Sequence, residues 1–399
     1  MVQKPSAPVD PVALEAVLRP FGESLTLPAA AYTGRDVFDW ERRHLFAGAW
    51  ACLGRADEVR AGEVRAGEVR GGEVRGGEVR GGAGQRALTV GGIGVLLTFA
   101  EDGVRAFANV CRHRGHELLP DGGAAERAAV VCPYHGWAYR PDGTLSTATA
   151  MRGVPGFDPA RYGLVELPAV TWEGWLFVNA DAGAAPFPEY LGELAGLLRP
   201  YRTAELRLAA RHDYRVAANW KVIVENYQEC YHCPQIHPEL CRVSPPTSGD
   251  NWDLPGAWVG GSMELREHAE TMSVDGGGSG VFIEGAPRRT VRYLALFPNL
   301  LVSAHPDYVL THRLWPVEPG VTEVECRWYF PPGVADPAYA VDFWDLTNRQ
   351  DWRACESVQR GLASPHFRPG PLAPNEGAVY QWMTLIARAY ADGLVSADR

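Results

Sequence analysis

The alternation of apolar and polar positions divides the chain into short strands early on and longer helices towards its end. Three short apolar runs follow one another between Leu88 and Val110, and Glu101-Asp102-Gly103 separates the second from the third. Asp-Gly pairs between apolar runs are typical of hairpin turns, and Asp142-Gly143 provides another one. The pattern predicts small antiparallel strands arranged as a β-sandwich that ends near residues 160–170.

The second half of the chain mixes β-rich stretches with helical periodicity. Apolar β-rich segments run from Val291 to Val317 and from Thr322 to Phe330, and helical patterns cover Pro337–Leu362 and Glu376–Tyr390. A multi-stranded antiparallel sheet packed against helices satisfies both patterns. The chain is therefore predicted to be α+β.

A length of 399 residues exceeds what one ordinary core supports and predicts two domains. Helical stretches at 12–19 and 38–49 precede the first strands, so we assign residues 1–45 to an N-terminal helical segment. Residues 46–165 then form the β-sandwich domain, and residues 166–399 form the larger α+β domain.

Residues 58–82 consist of five copies of a five-residue unit, E-V-R-A-G or E-V-R-G-G. Valines five positions apart rotate by about 140° per step on a helix and change face at each step on a strand. No continuous apolar face results, and the glycine pairs add backbone entropy. We interpret the segment as a mobile expansion of a surface loop; a small glycine-rich sheet extension is the alternative.

Composition excludes several classes of protein. The chain is 46% hydrophobic and 22% charged with a net charge of −10, which is typical of a globular protein and argues against a nucleic-acid partner. No apolar run approaches the roughly 20 residues that a membrane span requires. The opening residues M-V-Q-K-P-S-A-P-V-D lack an apolar signal core, so we expect a cytoplasmic protein without a membrane partner.

Two segments each combine one cysteine with one histidine: Cys111-Arg112-His113 and Cys132-Pro133-Tyr134-His135. A structural zinc site usually pairs its cysteines in one loop and its histidines in another, whereas here each loop is mixed. A Rieske-type [2Fe–2S] cluster needs two thiolates on one iron and two imidazoles on the other, and two mixed loops supply that set. The spacing predicts such a cluster; a zinc knuckle is the alternative.

A second constellation follows in the larger domain. Glu229 and His232 are three residues apart and would share a face on a helix predicted over Asn219–Tyr231, and His237 lies beyond the break that Pro234 imposes. Two histidines with a distant carboxylate are the ligands of a 2-His-1-carboxylate Fe(II) site.

The carboxylate is expected on the stretch Phe343–Leu362 of the last-but-one predicted helix, which offers Asp345, Asp351 and Glu356. A helical wheel places Asp351 on a mostly apolar stripe, and it turns the other two acids about 120–140° away from that stripe. An acid on a buried stripe is rare unless it is paired or binds metal. Asp351 is therefore the candidate third ligand, with Asp345 and Glu356 as alternatives.

The remaining cysteines show no disulfide framework, and in a cytoplasmic protein we expect them to be reduced. Cys230 and Cys233, which flank His232, are interpreted as small core residues rather than metal ligands.

The motifs C-R-H-R-G … C-P-Y-H-G-W-A-Y and N-W-K … E-N-Y-Q-E-C-Y-H-C-P-Q-I-H-P resemble those of the Rieske non-haem iron oxygenase α-subunits. The resemblance implies a Rieske [2Fe–2S] sandwich domain followed by a helix-grip catalytic domain that holds one mononuclear iron. It also implies a homotrimer, O₂ as co-substrate and electrons from an NADH-dependent flavin/iron–sulfur reductase. The sequence lacks a G-x-G-x-x-G motif in a βαβ unit, so we do not expect it to bind NADH itself.

Within that family an acid at the position of Glu229 bridges the iron-ligand histidine to a cluster histidine of the next subunit. Most members have Asp there, whereas this chain has Glu. In this respect the chain resembles the branch that acts on glycine betaine, choline and carnitine. A trimethylammonium group would favour an aromatic box, for which six residues are available. These are Tyr227, Trp258, Phe282, Tyr293, Phe297 and Tyr308. Aromatic-ring hydroxylation, a pure electron-transfer role and a non-catalytic binding role are the alternatives.

Overall fold

The structure is a computed structural model that describes residues 5–62, 84–101, 103–183 and 185–392. The helices are α1 (Pro11–Val17), α2 (Ala29–Thr33), α3 (Arg35–Glu41), α4 (Ala56–Ala61), α5 (Phe187–Leu191), α6 (Leu194–Leu198), α7 (Trp220–Tyr227), α8 (Cys233–Ile236), α9 (Pro238–Val243), α10 (Ala338–Leu362) and α11 (Gly377–Asp392). Short 3₁₀-helices span Pro159–Tyr162, Arg199–Tyr201 and Thr203–Glu205, and a π-helix spans Arg42–Phe46.

The first eleven strands are β1 (Ala51–Arg55), β2 (Gly84–Val90), β3 (Ile93–Ala100), β4 (Gly103–Ala108), β5 (Ala124–Ala125), β6 (Val130–Val131), β7 (Ala138–Tyr139), β8 (Leu145–Thr147), β9 (Glu166–Leu167), β10 (Ala169–Trp172) and β11 (Trp175–Val178). The other strands are β12 (Arg207–Val216), β13 (Asp250–Asn251), β14 (Trp258–Glu264), β15 (Thr290–Leu296), β16 (Leu300–Ala304), β17 (Val309–Glu318) and β18 (Val321–Phe330).

The chain forms two compact units, and each contains only antiparallel strand pairs among its described residues. One unit, here the cluster unit, is Arg42–Ala184; the other, here the catalytic unit, combines Met1–Glu41 with Ala185–Arg399. The α+β prediction of two domains, a β-sandwich and a sheet with helices, is confirmed.

The cluster unit contains three small sheets, ordered β5-β2-β3-β4-β9, β1-β11-β10 and β6-β7-β8. The predicted hairpin after Ala100 joins β3 to β4, and the one at Gly143, where φ is +82°, joins β7 to β8. A positive φ favours glycine because it has no Cβ. The sandwich therefore follows from local turn chemistry together with short apolar strands.

The catalytic unit is built on a seven-stranded sheet ordered β12-β18-β17-β16-β15-β14-β13. Strands β13 to β18 form a meander, and β12 returns to the edge beside β18. Strand β15 illustrates the alternation of faces: the Arg292 guanidinium lies over the rings of Tyr201 and Trp252, while Tyr293 points to the other face. Helices α7, α10 and α11 pack in this unit and carry the residues discussed below.

A buried ion pair attaches the N-terminal segment to the catalytic unit. Glu41 of α3 accepts a hydrogen bond of 2.5 Å from the Lys221 ammonium, and both side chains are buried. The indole of Trp220 and the hydroxyl of Tyr390 also donate to the Glu41 carboxylate. Residues up to Glu41 therefore belong with the catalytic unit, whereas the sequence predicted a separate segment over 1–45.

The boundary between the two units also lies later than the sequence suggested. The sequence predicts the boundary between residues 165 and 166 and the apolar run Trp175–Val178 in the second domain. In the structure this run is β11, which pairs with β1 on one side and β10 on the other. Because β1 lies about 120 residues earlier in the sequence, only long-range pairing assigns β11 to the cluster unit.

The repeat at 58–82 is described only at its start. Its first unit forms the end of α4, where Val59 is buried and Gly62 at φ +80° follows the helix. Residues 63–83 lie outside the described residues, and so does the loop predicted for them. In the described parts of the chain, no helix combines the length and apolar character needed to cross a membrane.

Candidate functional site

The two Cys/His segments of the cluster unit fold into loops of the same geometry. In the first loop the Cys111 N–H donates to the His116 carbonyl, and Gly115 N–H donates back to Cys111. In the second loop Cys132 and Gly136 repeat this pair of hydrogen bonds, with Trp137 in the place of His116. Gly115 and Gly136 both adopt a positive φ, +72° and +71°, so the glycine that closes each loop is required by the turn itself.

The ligand side chains of these loops separate into a buried and an exposed pair. Cys111 and Cys132 are each 2% exposed, whereas His113 is exposed and His135 half-buried, with ring centroids 4.7 Å apart. The Tyr139 hydroxyl lies 3.2 Å from the Cys111 sulfur. Because it already accepts the Arg112 N–H, its proton is free to donate to that sulfur. Two buried thiols and two outer imidazoles fit a [2Fe–2S] cluster of the Rieske type.

A second candidate ligand set lies in the catalytic unit: His232 precedes α8, His237 lies between α8 and α9, and Asp351 lies on α10. The Nε2 atoms of His232 and His237 are 3.2 Å apart. Oδ1 of Asp351 lies 2.8 Å from Nε2 of His237 and 3.3 Å from Nε2 of His232. The three ligand atoms lie within 4.8 Å of one another, so a single metal ion can be held between them. Two imidazoles and one carboxylate are the donor set of a non-haem Fe(II) site.

Outer hydrogen bonds fix the orientation of both imidazoles. His232 Nδ1 lies 2.5 Å from Oε1 of Glu229, and His237 Nδ1 lies 2.7 Å from Oε1 of Gln350. Since a carboxylate or amide oxygen only accepts, each Nδ1 carries the proton and each Nε2 presents its lone pair to the metal position. Burial lowers the pKa of His232, but the hydrogen bonds to Asp351 and Glu229 outweigh it and raise the pKa to about 9.

The other two candidate acids of α10, Asp345 and Glu356, lie in a different environment. Asp345 accepts hydrogen bonds from the Tyr214 hydroxyl and the Arg349 guanidinium, and Glu356 accepts the Ala217 N–H. Neither carboxylate approaches the two histidines. The structure brings Asp351 to them, in agreement with the helical wheel.

The helix predicted through Tyr231 ends earlier, at Tyr227. Glu229 follows the helix, and its Oε2 accepts the backbone N–H groups of Tyr231 and His232. A side chain that binds nearby backbone donors competes with the helical hydrogen bonds, which is why the helix stops here. The prediction that Glu229 and His232 share a helical face is therefore wrong, although a tight turn brings the two side chains together.

Cys230 and Cys233 form a disulfide that encloses Tyr231 and His232. The expectation that both are reduced core residues is therefore wrong. The other six cysteines form no disulfide, including Cys241 and the cluster candidates Cys111 and Cys132. The bond holds the loop that carries His232 at both ends, a function that the spacing of the cysteines along the chain did not indicate.

A cavity of about 320 Å³ opens on the candidate iron ligands His232, His237 and Asp351. Tyr227, Tyr293 and Trp344 line it, with ring centroids 5.9 Å apart between the two tyrosines and 6.3 Å between Tyr293 and Trp344. The rings meet at steep angles of 74° and 64°, so they form a concave aromatic wall. Of the six aromatic residues considered from the sequence, Tyr227 and Tyr293 lie here; the other four do not line the cavity.

Two residues of the site were missed in the sequence. Trp344 precedes Asp351 by about two helical turns, so a wheel centred on Asp351 places both on one face of α10. The helical periodicity that selects Asp351 among the acids therefore also indicates Trp344. Gln350 neighbours Asp351 in the chain and points elsewhere on a helix, so only the fold brings it to His237.

Comparison with known proteins covers both units. Residues 49–158 match the Rieske [2Fe–2S] domain, and residues 203–392 match the catalytic domain of the ring hydroxylating alpha subunit. The chain is 28% identical to the glycine betaine monooxygenase oxygenase subunit of Pseudomonas aeruginosa, over 91% of this chain and 89% of that protein. It is 29% identical to the carnitine monooxygenase oxygenase subunit of Escherichia coli, over 87% of this chain and 86% of that protein.

Among solved structures, the quaternary ammonium Rieske monooxygenase CntA superposes with a TM-score of 0.73 at 24% identity, covering 96% of this chain and 99% of that one. At that identity the superposition supports the fold alone. The match to a catalytic domain excludes a pure electron-transfer protein. With a Rieske domain, a catalytic domain and full-length relatives of the same arrangement, the chain belongs to the Rieske non-haem iron oxygenases, as an α-subunit that carries a [2Fe–2S] cluster and a mononuclear iron.

Proposed function

We propose that this protein is the oxygenase component of a system that oxidises a quaternary ammonium compound by hydroxylating one of its C–H bonds. The observation that carries the proposal is the aromatic wall of Tyr227, Tyr293 and Trp344 in the cavity that opens on His232, His237 and Asp351. Aromatic faces attract a trimethylammonium group by cation–π interaction. The relatives named above act on glycine betaine and carnitine, which are quaternary ammonium compounds.

Each residue of the proposed site has a distinct task. His232, His237 and Asp351 would hold the mononuclear iron, and Glu229 and Gln350 would keep the two imidazoles oriented. Cys111, Cys132, His113 and His135 would hold the cluster. When bound, the cluster supplies single-electron storage and the iron supplies activation of O₂. The aromatic wall would position the substrate beside the iron.

The overall reaction consumes O₂, two electrons and two protons, and it yields the hydroxylated substrate and water. Hydroxylation of an N-methyl group collapses to formaldehyde and the demethylated amine. The electrons would come from an NADH-dependent flavin/iron–sulfur reductase, because the chain has no dinucleotide-binding motif of its own. The exposed side chain of His113 is a suitable entry point for them.

Glu229 is proposed to bridge the two metal centres between subunits. Its carboxylate is hydrogen-bonded to the iron ligand His232, and the adjacent Tyr231 is 60% exposed, so a neighbouring subunit can approach this loop. A bridge of this kind requires a closed ring with head-to-tail contacts, for which a homotrimer is our proposal. A cytoplasmic location also stays a prediction.

The experiment is turnover with a reconstituted reductase, NADH and ¹⁸O₂. Choline, glycine betaine and carnitine are compared with naphthalene, which represents aromatic-ring hydroxylation. We expect oxygen uptake coupled to an aldehyde product from at least one quaternary ammonium compound. Coupled turnover of naphthalene alone would refute the proposal and favour the ring-hydroxylating alternative.

A further inference from the structure

One ring of the aromatic wall has a hydrogen bond that leads out of the cavity lining to a second aromatic side chain. The Trp344 indole N–H donates to the Tyr308 hydroxyl at 2.7 Å, and Tyr308 is fully buried behind the wall. The Tyr227 hydroxyl is bonded to Ser303 instead, and the Tyr293 hydroxyl has no hydrogen bond within the described part of the chain. Trp344 is therefore the ring of the wall that is connected outwards.

Tyr308 continues this connection to Tyr339, near the start of α10. The two rings lie 6.3 Å apart between centroids and meet at 76°. Tyr339 is half-buried, so part of it reaches the protein surface. Indole and phenol lose a single electron far more readily than the phenyl ring of phenylalanine. Trp344, Tyr308 and Tyr339 thus form a series of three oxidisable side chains from the cavity to the surface, here called the aromatic relay.

The two tyrosines of the relay differ in what can happen to their protons. The Tyr308 hydroxyl donates to the Met272 carbonyl at 2.9 Å, and an amide carbonyl is too weak a base to remove a proton. The Tyr339 hydroxyl donates to Oδ2 of Asp307 at 2.6 Å. Burial raises the pKa of Asp307 to about 6, so its carboxylate is ionised at neutral pH and accepts a proton more readily than an ordinary one.

This difference determines where a missing electron comes to rest. A phenol that has lost an electron becomes a strong acid, and the oxidised state is stabilised where the proton can leave. The proton can leave at Tyr339, to Asp307, and it cannot leave at Tyr308. A missing electron is therefore expected to pass through Tyr308 and to remain at Tyr339.

The surroundings of Tyr308 favour a positive charge in transit. Asp307 precedes it in the chain and is buried, so its negative charge acts through a weakly screening interior. The His305 ring stacks on Tyr308 with centroids 4.1 Å apart. Burial lowers the pKa of His305 well below its usual value, so this imidazole is neutral and does not oppose the charge.

Reaction with O₂ in the absence of a substrate creates a need for such a relay. Conversion of O₂ to two water molecules takes four electrons and four protons. In productive turnover the reductase supplies two of the electrons and the substrate C–H bond supplies the other two. Without a substrate the last two electrons are lacking, and an O₂-derived oxidant remains beside the side chains that line the cavity.

We propose that the aromatic relay supplies these two electrons from the protein surface and so protects the site during turnover without substrate. In each passage one electron moves from Tyr339 through Tyr308 and Trp344 to the oxidant. The O–H bond of Tyr339 breaks, its proton goes to Asp307, and a neutral tyrosyl radical remains. This inference goes beyond the proposed function, because it holds whichever substrate is oxidised.

The electrons and protons of the cycle balance when a low-molecular-weight thiol acts as the external reductant. The thiol gives one electron to the Tyr339 radical and releases its proton to water, and Asp307 returns the phenol proton. Two passages join two thiols in one disulfide. The oxidant takes up the two electrons together with two protons from water, which completes the reduction of O₂.

The test is freeze-quench electron paramagnetic resonance of the reduced holoenzyme after mixing with O₂, with substrate and thiol omitted so that the radical accumulates. Ring-deuterated tyrosine assigns the signal, because deuterium changes its hyperfine pattern. We expect a tyrosyl radical in the wild type and its loss in Tyr339→Phe. Tyr380→Phe is the matched control and should keep the radical, since this half-buried tyrosine of the same unit donates to the Arg19 carbonyl and not to an acid.

Asp307→Asn separates the proton acceptor from the hydrogen bond. The amide oxygen of asparagine still accepts from Tyr339, but it cannot take the proton, so we expect loss of the radical in this variant too. Iron content and cluster absorbance equal to those of the wild type show that each variant is folded and loaded. A radical of wild-type intensity in Asp307→Asn would overturn the assigned role of this carboxylate.

Peptide mass spectrometry after repeated turnover without substrate, with thiol present, gives a second readout. We expect more oxygen insertion at Trp344 and His232 in Tyr339→Phe than in Tyr380→Phe. Equal oxidation in these two variants, an unchanged radical in Tyr339→Phe, or no radical in the wild type would overturn the inference. None of these results bears on the substrate class, which the turnover experiment decides separately.

Discussion

Oε1 of Glu229 lies 2.5 Å from Nδ1 of His232, so one carboxylate both orients an iron ligand and closes the turn after α7. The contribution of the Glu229 negative charge and that of its hydrogen bond can be tested separately. The amide of Gln keeps an acceptor at the same reach and removes the negative charge.

Glu229→Gln is therefore expected to retain the mononuclear iron and to slow electron transfer from the reduced cluster. Stopped-flow absorbance of the cluster under O₂ and substrate measures this rate, and we expect a decrease of at least about tenfold if the charge carries the bridge. Glu284→Gln, at an exposed carboxylate, is the control. Cluster reoxidation at the wild-type rate, or full activity of an isolated monomer, would contradict the bridging role.

Asp351→Ala is expected to release the mononuclear iron and leave the cluster spectrum intact. Loss of a direct ligand should weaken iron binding by more than about 100-fold, because even outer-shell changes cost about 10–100-fold. Metal analysis and visible absorbance measure the two centres separately. Asp345→Asn is the matched variant on the same helix and should keep its iron; iron loss there instead would identify Asp345 as the ligand.

Cys132→Ala should have the opposite effect, with loss of the cluster colour and retention of the catalytic iron. The thiolate is one of two that can hold the buried iron of the cluster, and alanine offers no donor. Cys52→Ala, at another buried cysteine of the same unit that forms no disulfide, is the control and should keep its colour. Stoichiometric zinc in colourless wild-type protein would refute the Rieske assignment.

Gln350→Leu tests whether the amide positions His237. Without the acceptor at Nδ1 the imidazole can rotate or change tautomer, and we expect iron affinity to fall by about 10–100-fold. Gln350→Glu retains an acceptor at the same reach and should bind iron nearly as well as wild type. A competitive chelator titration reports the iron affinity of both variants. Equal losses of affinity in the two variants would contradict the positioning role, because Gln350→Glu keeps the acceptor.

Lys221→Met is expected to destabilise the protein by about 3–5 kcal/mol, because it leaves the buried Glu41 carboxylate without its counter-charge. The exposed pair Arg215–Glu323 gives the comparison: Arg215→Met should cost less than about 1 kcal/mol. Chemical denaturation measures both. The double change Lys221→Met with Glu41→Leu should recover part of the loss, and no recovery would show that the other bonds of Glu41 dominate.

The sequence by itself determined the chemistry of both metal centres and the class of fold. Cys111, His113, Cys132 and His135 lie in two tight loops closed by glycines, so local turn geometry specifies them without reference to the rest of the chain. His232 and His237 lie close together in sequence, and Asp351 was separable from its neighbours because helical periodicity assigns each acid to a face.

Only the tertiary structure decided how distant segments meet. The pairing of β11 with β1, the attachment of Glu41 to Lys221 and the contact of Gln350 with His237 all join residues far apart in sequence, where no periodicity is informative. The end of α7 at Tyr227 and the Cys230–Cys233 bond depend on side-chain contacts that compete with helix propensity. The cavity likewise exists only when α7, β14, β15 and α10 are brought together, so the choice of substrate is a property of packing rather than of any single motif.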